Sequence, residues 1–341
     1  MRTFFDNIND KQFRDYVEKR IRSSSRNSNY SFPSAFPILY QYRGLNEFVI
    51  RNILNGQLSV SSVGSFNDIY DSTTGVNQSF EYYKILIENE LETINDKADD
   101  LGLDLPNLAT EDAIKYAARN RTLQSRFYNN LGDNIGLKAS CLSTDYKSIL
   151  MWSHYANRNR GMCIGYDFNR ASDDIKSLVF PVSYINEPLD LSDLLYIDNN
   201  EDCISTIDAA MIISSICKNK VWNYEKEWRF LFCLKDNNTY LNVNIEISPS
   251  MIILGSCFFQ NFFLGSGKEY GLFNQLLPFI EEKQIPVYIC KPKHKAYELD
   301  ISRIDLNFTN NLLKRSLSNS TPSFQHYSAF MAEWLIENEM E

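Results

Sequence analysis

The sequence contains few of the residues that commonly build metal sites and nucleotide-phosphate sites. It has 3 His, far apart, and its 7 Cys include no CxxC pair, so no zinc site is indicated. It also lacks the GxGxxG and GxxxxGKS/T fingerprints that bind dinucleotides and phosphates. We therefore expect a site without a metal ion, and reduced, mostly buried thiols as in a cytoplasmic protein.

Long hydrophobic runs are also missing. The longest candidate begins at Met251 and is interrupted by Gly, Ser, Gln and Asn, so it falls short of the ~18–20 apolar residues that a membrane helix needs. The first residues are charged throughout and contain no apolar segment typical of a secretory signal. No membrane segment is predicted.

Positive charge is in deficit. The chain has 34 Lys and Arg against 43 Asp and Glu, a net charge of −9. This balance argues against electrostatic binding of nucleic acid by the chain as a whole, although a local basic patch stays possible.

The length and hydropathy pattern predict an elaborated α+β protein. Its 341 residues, 44% of them hydrophobic, can bury a large core. Strand-like and helical patterns do not alternate regularly, which favours a mixed, mostly antiparallel split sheet with flanking helices over a doubly wound sheet. Three segments are predicted: an N-terminal helix and linker (1–36), a core (37–300) with a helical insertion at about 79–131, and a C-terminal helical segment (301–341).

The most informative stretch runs from Lys220 to Leu234, with the sequence KVWNYEKEWRFLFCL. On a strand, alternate residues share a face, so Glu225, Glu227 and Arg229 should lie together at the entrance to an apolar core. Such charges are costly unless they are paired or used. Either Arg229 simply pairs with the carboxylates, or the two glutamates form a site for substrate hydrogen bonding and proton transfer.

Two further stretches carry polar residues in apolar surroundings. In the stretch from Ser140 to Asp167, Ser143 or Thr144 could cap the following helix, and His154 could be an ordinary core or surface imidazole. Arg43 ends an aromatic strand, LYQYR, where it could simply extend to solvent or could contact an anion or a ribose.

Taken in order, these stretches resemble a bacterial family called domain of unknown function 2971. The shared motifs are LYxYR, FNDxxD, the segment xxLMWSHYAxxxxGxCIGYD and WxYEKEWR. They correspond here to Leu39–Arg43, Phe66–Asp71, Cys141–Asp167 and Trp222–Arg229. The loop departs from the family pattern because Ile69 and Tyr70 stand where Pro-Phe is usual.

A second resemblance, to ADP-ribosyltransferases, implies an activity. An Arg ending the first strand, a Ser-Thr before a helix and an ExE in a later strand are similar to their Arg–Ser–Glu arrangement. The resemblance implies that Arg43 holds the NAD phosphates or ribose, that Ser143 braces the nicotinamide ribose and Glu225, and that Glu227 stabilises the oxocarbenium-like transition state. A carboxylate suits that chemistry because it stabilises developing positive charge.

The same resemblance implies that Trp152 or Tyr155 stacks on nicotinamide. The remaining candidates for NAD binding are Tyr42, Thr144, His154 and Arg229. NAD would be the substrate, and a protein, a nucleic acid or NAD itself the target. A bacterial toxin or phage-defence role is the corresponding expectation.

Two other classes of function stay open at this point. The chain could be a non-enzymatic sensor or interaction module, in which Glu225, Glu227 and Arg229 form a structural network. It could also be a metal-dependent nuclease that uses Asp68, Asp71 and the two glutamates as oxygen ligands.

Overall fold

The computed structural model describes residues 35–68, 71, 137–186, 213–233, 240–264, 268–318 and 323–338. The N-terminal helix and the helical insertion predicted from the sequence lie outside these residues. The division into three segments stays a prediction.

The described residues form twelve strands, seven α-helices and short 3₁₀ turns. The strands are β1 (Leu39–Arg43), β2 (Gln57–Ser62), β3 (Leu137–Ser143), β4 (Met162–Tyr166), β5 (Val179–Pro181), β6 (Ser183–Ile185), β7 (Cys217–Asn219), β8 (Glu227–Cys233), β9 (Tyr240–Asn244), β10 (Met251–Leu254), β11 (Val287–Pro292) and β12 (Leu299–Arg303). The α-helices are α1 (Glu47–Leu54), α2 (Ile149–Tyr155), α3 (Asp173–Ser177), α4 (Gln260–Leu264), α5 (Lys268–Glu282), α6 (Leu306–Ser318) and α7 (Phe324–Asn338).

Ten of these strands form one sheet, and β6 and β7 form a separate parallel pair. Within the large sheet, β10 and β11 are parallel and the other pairs are antiparallel. The fold is therefore α+β with a mixed, mostly antiparallel sheet, as the sequence predicts.

The sheet forks at β3. Strand β8 pairs with the whole of β3, from Leu137 to Ser143, along one edge. The other edge is shared, because β1 pairs with it at Ser143 and β2 pairs with it at Lys138 and Ala139. The backbones of β1 and β2 therefore separate between these two points, and the gap between them opens a cavity.

Helices cover the two faces of the sheet unequally. One face packs against α1 and the C-terminal helices α4 to α7 in a large apolar core that includes Phe258, Phe273 and Trp334. The other face packs against α2 in a smaller core around Tyr42, Trp152 and Cys163. Alternation along β1 produces this division, since Leu39 points into the first core and Tyr40 and Tyr42 into the second.

Local signals explain where several elements begin and end. The sequence predicts a helix over 45–55 with Asn46 as its cap and Gly56 at its end. The Asn46 side chain accepts a hydrogen bond from the Val49 amide at 2.9 Å and caps α1, which confirms that prediction. Gly161 turns the chain from α2 into β4, where a Cβ would lie 2.2 Å from the Arg43 carbonyl oxygen. The predicted cap of α2 is wrong, because Ser148, not Ser143 or Thr144, accepts from the helix amide of Met151.

The apolar pattern hid one long helix. The fifteen-residue helix α5 lies between MIILGS and PVYICK, two segments that the sequence predicts as successive strands.

The described cysteines are free thiols, and Cys163, Cys217 and Cys290 are buried. In the described part of the chain, no helix is both long and apolar enough to cross a membrane.

Candidate functional site

The fork between β1 and β2 opens into a cavity of about 260 Å³. Aromatic rings form much of its lining: Tyr40, Tyr42, Phe48, Phe66 and Tyr155. One wall is formed by β1 and β2, and a second wall carries the side chains of Lys218, Glu225 and Glu227. Flat apolar surfaces beside a few polar groups are typical of small-molecule sites.

The second wall belongs to a buried cluster of five charged side chains, which we call the charged cluster; four of them line the cavity, and Arg229 lies behind. The Arg229 guanidinium makes two bonds to the Asp71 carboxylate, at 2.7 and 2.6 Å, and its Nε donates to Glu227 Oε1 at 2.8 Å. The Lys218 ammonium donates to Glu225 Oε2 at 2.6 Å and to Glu227 Oε2 at 3.0 Å. Three carboxylates against two cations leave the cluster with one net negative charge.

Backbone turns bring the two glutamates together. Glu225 ends a 3₁₀ turn (Lys220–Glu225), Lys226 adopts a left-handed conformation with φ of 45°, and β8 begins at Glu227. The predicted reason for their proximity, alternation along one strand, is therefore wrong. The left-handed Lys226 turns the chain between them, and both carboxylates reach the same ammonium.

Hydroxyl groups hold the backbone of this turn. The Ser143 hydroxyl donates to the Glu225 carbonyl oxygen at 2.5 Å, and the Tyr184 hydroxyl accepts from the Glu227 amide at 2.7 Å. The Tyr155 hydroxyl donates to Glu225 Oε1 at 2.7 Å and accepts from the Asn67 side chain at 3.2 Å. Each hydroxyl restricts where a glutamate lies, so the carboxylates are pre-positioned.

The two glutamates have opposite electrostatic environments. Burial raises the pKa of Glu227, but the adjacent Arg229 and Lys218 charges outweigh burial and lower it to about 2. For Glu225, burial dominates the attraction of Lys218, so its pKa lies above the ordinary value. Glu227 is thus fixed as an anion, whereas Glu225 can exchange a proton nearer to neutral pH.

Arg43 lines the same cavity from the wall formed by β1 and β2. Its Nη2 donates to the Ser59 hydroxyl at 3.0 Å, which joins the two strands of the fork. Within the described part of the chain, no carboxylate lies within ion-pair distance of this guanidinium. Burial lowers the pKa of Arg43. An anion that entered the cavity would offset that cost of burial.

The cavity collects some of the residues predicted from the sequence and leaves others out. Arg43, Tyr42, Tyr155, Glu225 and Glu227 line it. The Tyr42 hydroxyl donates to the Asp145 carbonyl oxygen at 2.6 Å, so its ring position is fixed.

The other predicted site residues lie behind or away from the cavity lining. Trp152 is fully buried in the core, where its Nε1 donates to the Tyr146 carbonyl oxygen at 2.8 Å. His154 is exposed on α2, and the Thr144 amide donates to the Lys226 carbonyl oxygen. Ser143 and Arg229 are fully buried and act on the glutamates from behind.

The four oxygen ligands proposed for a nuclease do not form a ligand set in this arrangement. Asp71, Glu225 and Glu227 surround Lys218 and Arg229. Asp68, which precedes Asp71 by three residues in the sequence, is also buried. Among the described residues, no group of three or more His, Cys, Asp and Glu side chains could hold a metal ion.

Comparison with known proteins identifies a family over part of the chain. Residues 151–230 match the model of a family described as "Protein of unknown function (DUF2971)". This match confirms the resemblance to domain of unknown function 2971 over those residues. It includes Lys218, Glu225, Glu227 and Arg229 of the charged cluster, whereas Arg43 and Asp71 lie outside it. Searches of curated proteins and of solved structures found no significant match.

Sequence reasoning missed Lys218, which contacts both glutamates. The sequence predicts a helix over 201–218, but Cys217–Asn219 form β7. A signal was present, because a lysine that follows the apolar run AMIISSIC needs an acidic partner if it is buried. The position of that partner depends on the fold.

Proposed function

We propose that this protein is an ADP-ribosyltransferase-like enzyme that cleaves the nicotinamide glycosidic bond of NAD and modifies a protein or nucleic-acid target. One observation carries the proposal: two pre-positioned glutamates and an arginine without a carboxylate partner among the described residues line one cavity. A ligand with a cationic end and an anionic end would match both walls.

The reaction follows from this arrangement of charge. The bond between C1′ and the nicotinamide nitrogen breaks, and its electron pair leaves with nicotinamide. Positive charge develops at C1′ and O4′ of the ribose, where the permanently ionised Glu227 stabilises it. Glu225, with its raised pKa, accepts the proton of the incoming nucleophile, and the nucleophile bonds to C1′.

We propose that different parts of the cavity lining contact different parts of the substrate. Arg43 and the Ser59 hydroxyl would contact the phosphates, and the cavity aromatics would pack on the nicotinamide ring. A cavity of about 260 Å³ lies just below the usual range for small-molecule sites, which is about 300–1,000 Å³. We therefore propose that it takes the nicotinamide-ribose half, with the adenosine half at the rim.

The test is incubation of the pure protein with labelled NAD, alone and with cell lysate. Nicotinamide release and label transfer to a macromolecule are the expected results, and the labelled species identifies the target. Glu227→Gln should abolish release while Glu298→Gln, a change in an exposed ion pair with Lys293, leaves it unchanged. A fully active, folded Glu227→Gln variant contradicts the proposal. If NAD is consumed, expression in cells should arrest growth, as expected of a toxin or phage-defence protein.

A second candidate, a non-enzymatic sensor or interaction module, is favoured by a specific observation. Both carboxylate oxygens of Glu225 and of Glu227 already have hydrogen-bond partners within the protein. A structural network would show the same pattern. No heat of NAD binding by calorimetry, together with a stable partner complex in pulldown, would support this candidate over the enzyme.

A further inference from the structure

Lys218 occupies the centre of the charged cluster and has no part in the chemistry described so far. Its Nζ lies 2.6 Å from Glu225 Oε2, 3.0 Å from Glu227 Oε2 and 3.6 Å from Asp71 Oδ2. Its side chain is 4% exposed, and its ammonium lies 4.9 Å from the centre of the Trp222 ring. One ammonium therefore bridges three carboxylates, of which Asp71 comes from a distant segment of the chain and the two glutamates flank Lys226.

The two glutamates depend on Lys218 to different extents. Arg229 binds Glu227 and Asp71 directly, so those carboxylates keep a cation without Lys218. Lys218 is the cation that contacts Glu225 within the described residues. Two carboxylates that share a site repel each other, and one of them takes up a proton unless a cation lies between them. Removing Lys218 should therefore change Glu225 more than Glu227.

The fold places Lys218 on a different strand from Glu227. Strand β7 pairs with β6 in the small parallel sheet, where Lys218 is opposite Tyr184. The Tyr184 hydroxyl contacts the Glu227 amide, so the same two-stranded unit contacts both glutamates. The small sheet thus brings a cation and a hydrogen-bond acceptor to the turn between Glu225 and β8.

We propose that Lys218 is a positioning residue for the glycosyl-transfer reaction, holding Glu225 beside Glu227 on one wall of the cavity and keeping Glu225 ionised to act as a base. This inference rests on the proposed function. Lys218 acts through the two carboxylates and takes no part in bond making or breaking. Besides the three carboxylates, the titratable groups that face it from the neighbouring elements are Cys141, Tyr155, Tyr184, Tyr224 and Arg229.

The test compares the pH profile of nicotinamide release in the wild type, Lys218→Met and Lys218→Arg. Loss of the ammonium raises the pKa of Glu225, so the acidic limb of the Lys218→Met profile should move upward by about one pH unit or more. Lys218→Arg keeps a cation and should restore the wild-type limb. Carboxyl-labelled glutamate NMR measures the same titration without catalysis. Lys293→Met, in an exposed ion pair, is the matched control.

The outcomes separate this inference from the function on which it rests. A folded Lys218→Met variant with the wild-type profile and glutamate titration overturns the inference alone. If Lys218→Met does not fold, Lys218→Arg decides: release with the wild-type limb supports the inference, and a folded but inactive protein overturns it. If the wild type releases no nicotinamide at any pH while Lys218→Met shifts the glutamate titration, the proposed function fails and Lys218 is a structural residue.

Discussion

Two arginines lie at the cavity, and they differ in how their charge is compensated: Arg43 lines it, and Arg229 lies behind the glutamates that line it. Arg229 on β8 is fully buried and binds the carboxylates of Asp71 and Glu227. Arg43 on β1 is half-buried, and its side chain contacts the Ser59 hydroxyl. The first charge is neutralised within the protein. The second remains available to an anionic ligand, so burial together with pairing distinguishes a structural cation from a candidate binding cation.

The largest expected effect comes from removing Arg229, the arginine that is buried and paired. Arg229→Met leaves Asp71 and Glu227 without their closest cation, and removing one partner of a buried ion pair typically costs about 3–5 kcal/mol. The free energy of unfolding, measured by urea denaturation, should fall by that amount.

Arg170→Met is the matched control for this change. Arg170 pairs with Asp167 and its side chain is 77% exposed, so the variant should lose no more than about 1 kcal/mol. Equal losses in the two variants would show that burial does not distinguish the two ion pairs.

The next-largest effect concerns how the charged cluster makes the free energy of unfolding depend on pH. The pKa of Glu227 is lowered from 4.5 to about 2, so its stabilising contribution is present above pH 4.5 and is lost as the pH falls toward 2. That contribution is about 3 kcal/mol by linkage. Glu227→Gln should lack this part of the acid-dependent loss in urea denaturation at pH 5, 4 and 3.

The sign for Glu225 is opposite. Its raised pKa means that its contribution is present below the ordinary carboxyl pKa and is lost as the pH rises through the folded value. Glu225→Gln should therefore leave the acid-dependent loss intact. If Glu227→Gln loses unfolding free energy with falling pH as the wild type does, or if Glu225→Gln does not, the assignment of the two environments is reversed.

The smallest expected effect on stability comes from the other wall. Arg43→Met removes a half-buried cation that has no carboxylate partner within the described residues, so the free energy of unfolding should change by less than about 1 kcal/mol. Affinity for NAD, measured by calorimetry, should fall by about tenfold or more, which corresponds to ~1.4 kcal/mol. Arg51→Met, an exposed change on α1, controls for loss of charge. Unchanged affinity in Arg43→Met would remove Arg43 from the site.

Much of the local structure followed from short-range patterns. Strand β1 was predicted because LYQYR alternates, and α1 because Asn46 precedes an apolar period and Gly56 follows it. Helix α5 was missed since its apolar residues lie between two strong strand patterns, and apolar runs alone do not separate a strand from a buried helix.

The candidate site was predictable in composition but not in geometry. Glu225, Glu227 and Arg229 drew attention because charges beside an apolar strand are costly. Their mutual arrangement depends on the left-handed Lys226, which no propensity indicates for a lysine. Trp152 is a residue whose type suggested a ligand contact. The structure buries it in the core instead, where its indole Nε1 donates to the Tyr146 carbonyl oxygen.

The sequence by itself determined the α+β class, the positions of most strands and the need for partners around Glu225, Glu227 and Arg229, since hydropathy period and the cost of buried charge are local properties. Tertiary structure alone decided that Lys218 and Asp71 are those partners, because Asp71 comes from a distant segment of the chain and Lys218 reaches the glutamates through the pairing of β7 with β6. It also decided that Arg43 lines the same cavity as the glutamates, because that placement depends on which edge of β3 the strands β1 and β2 share.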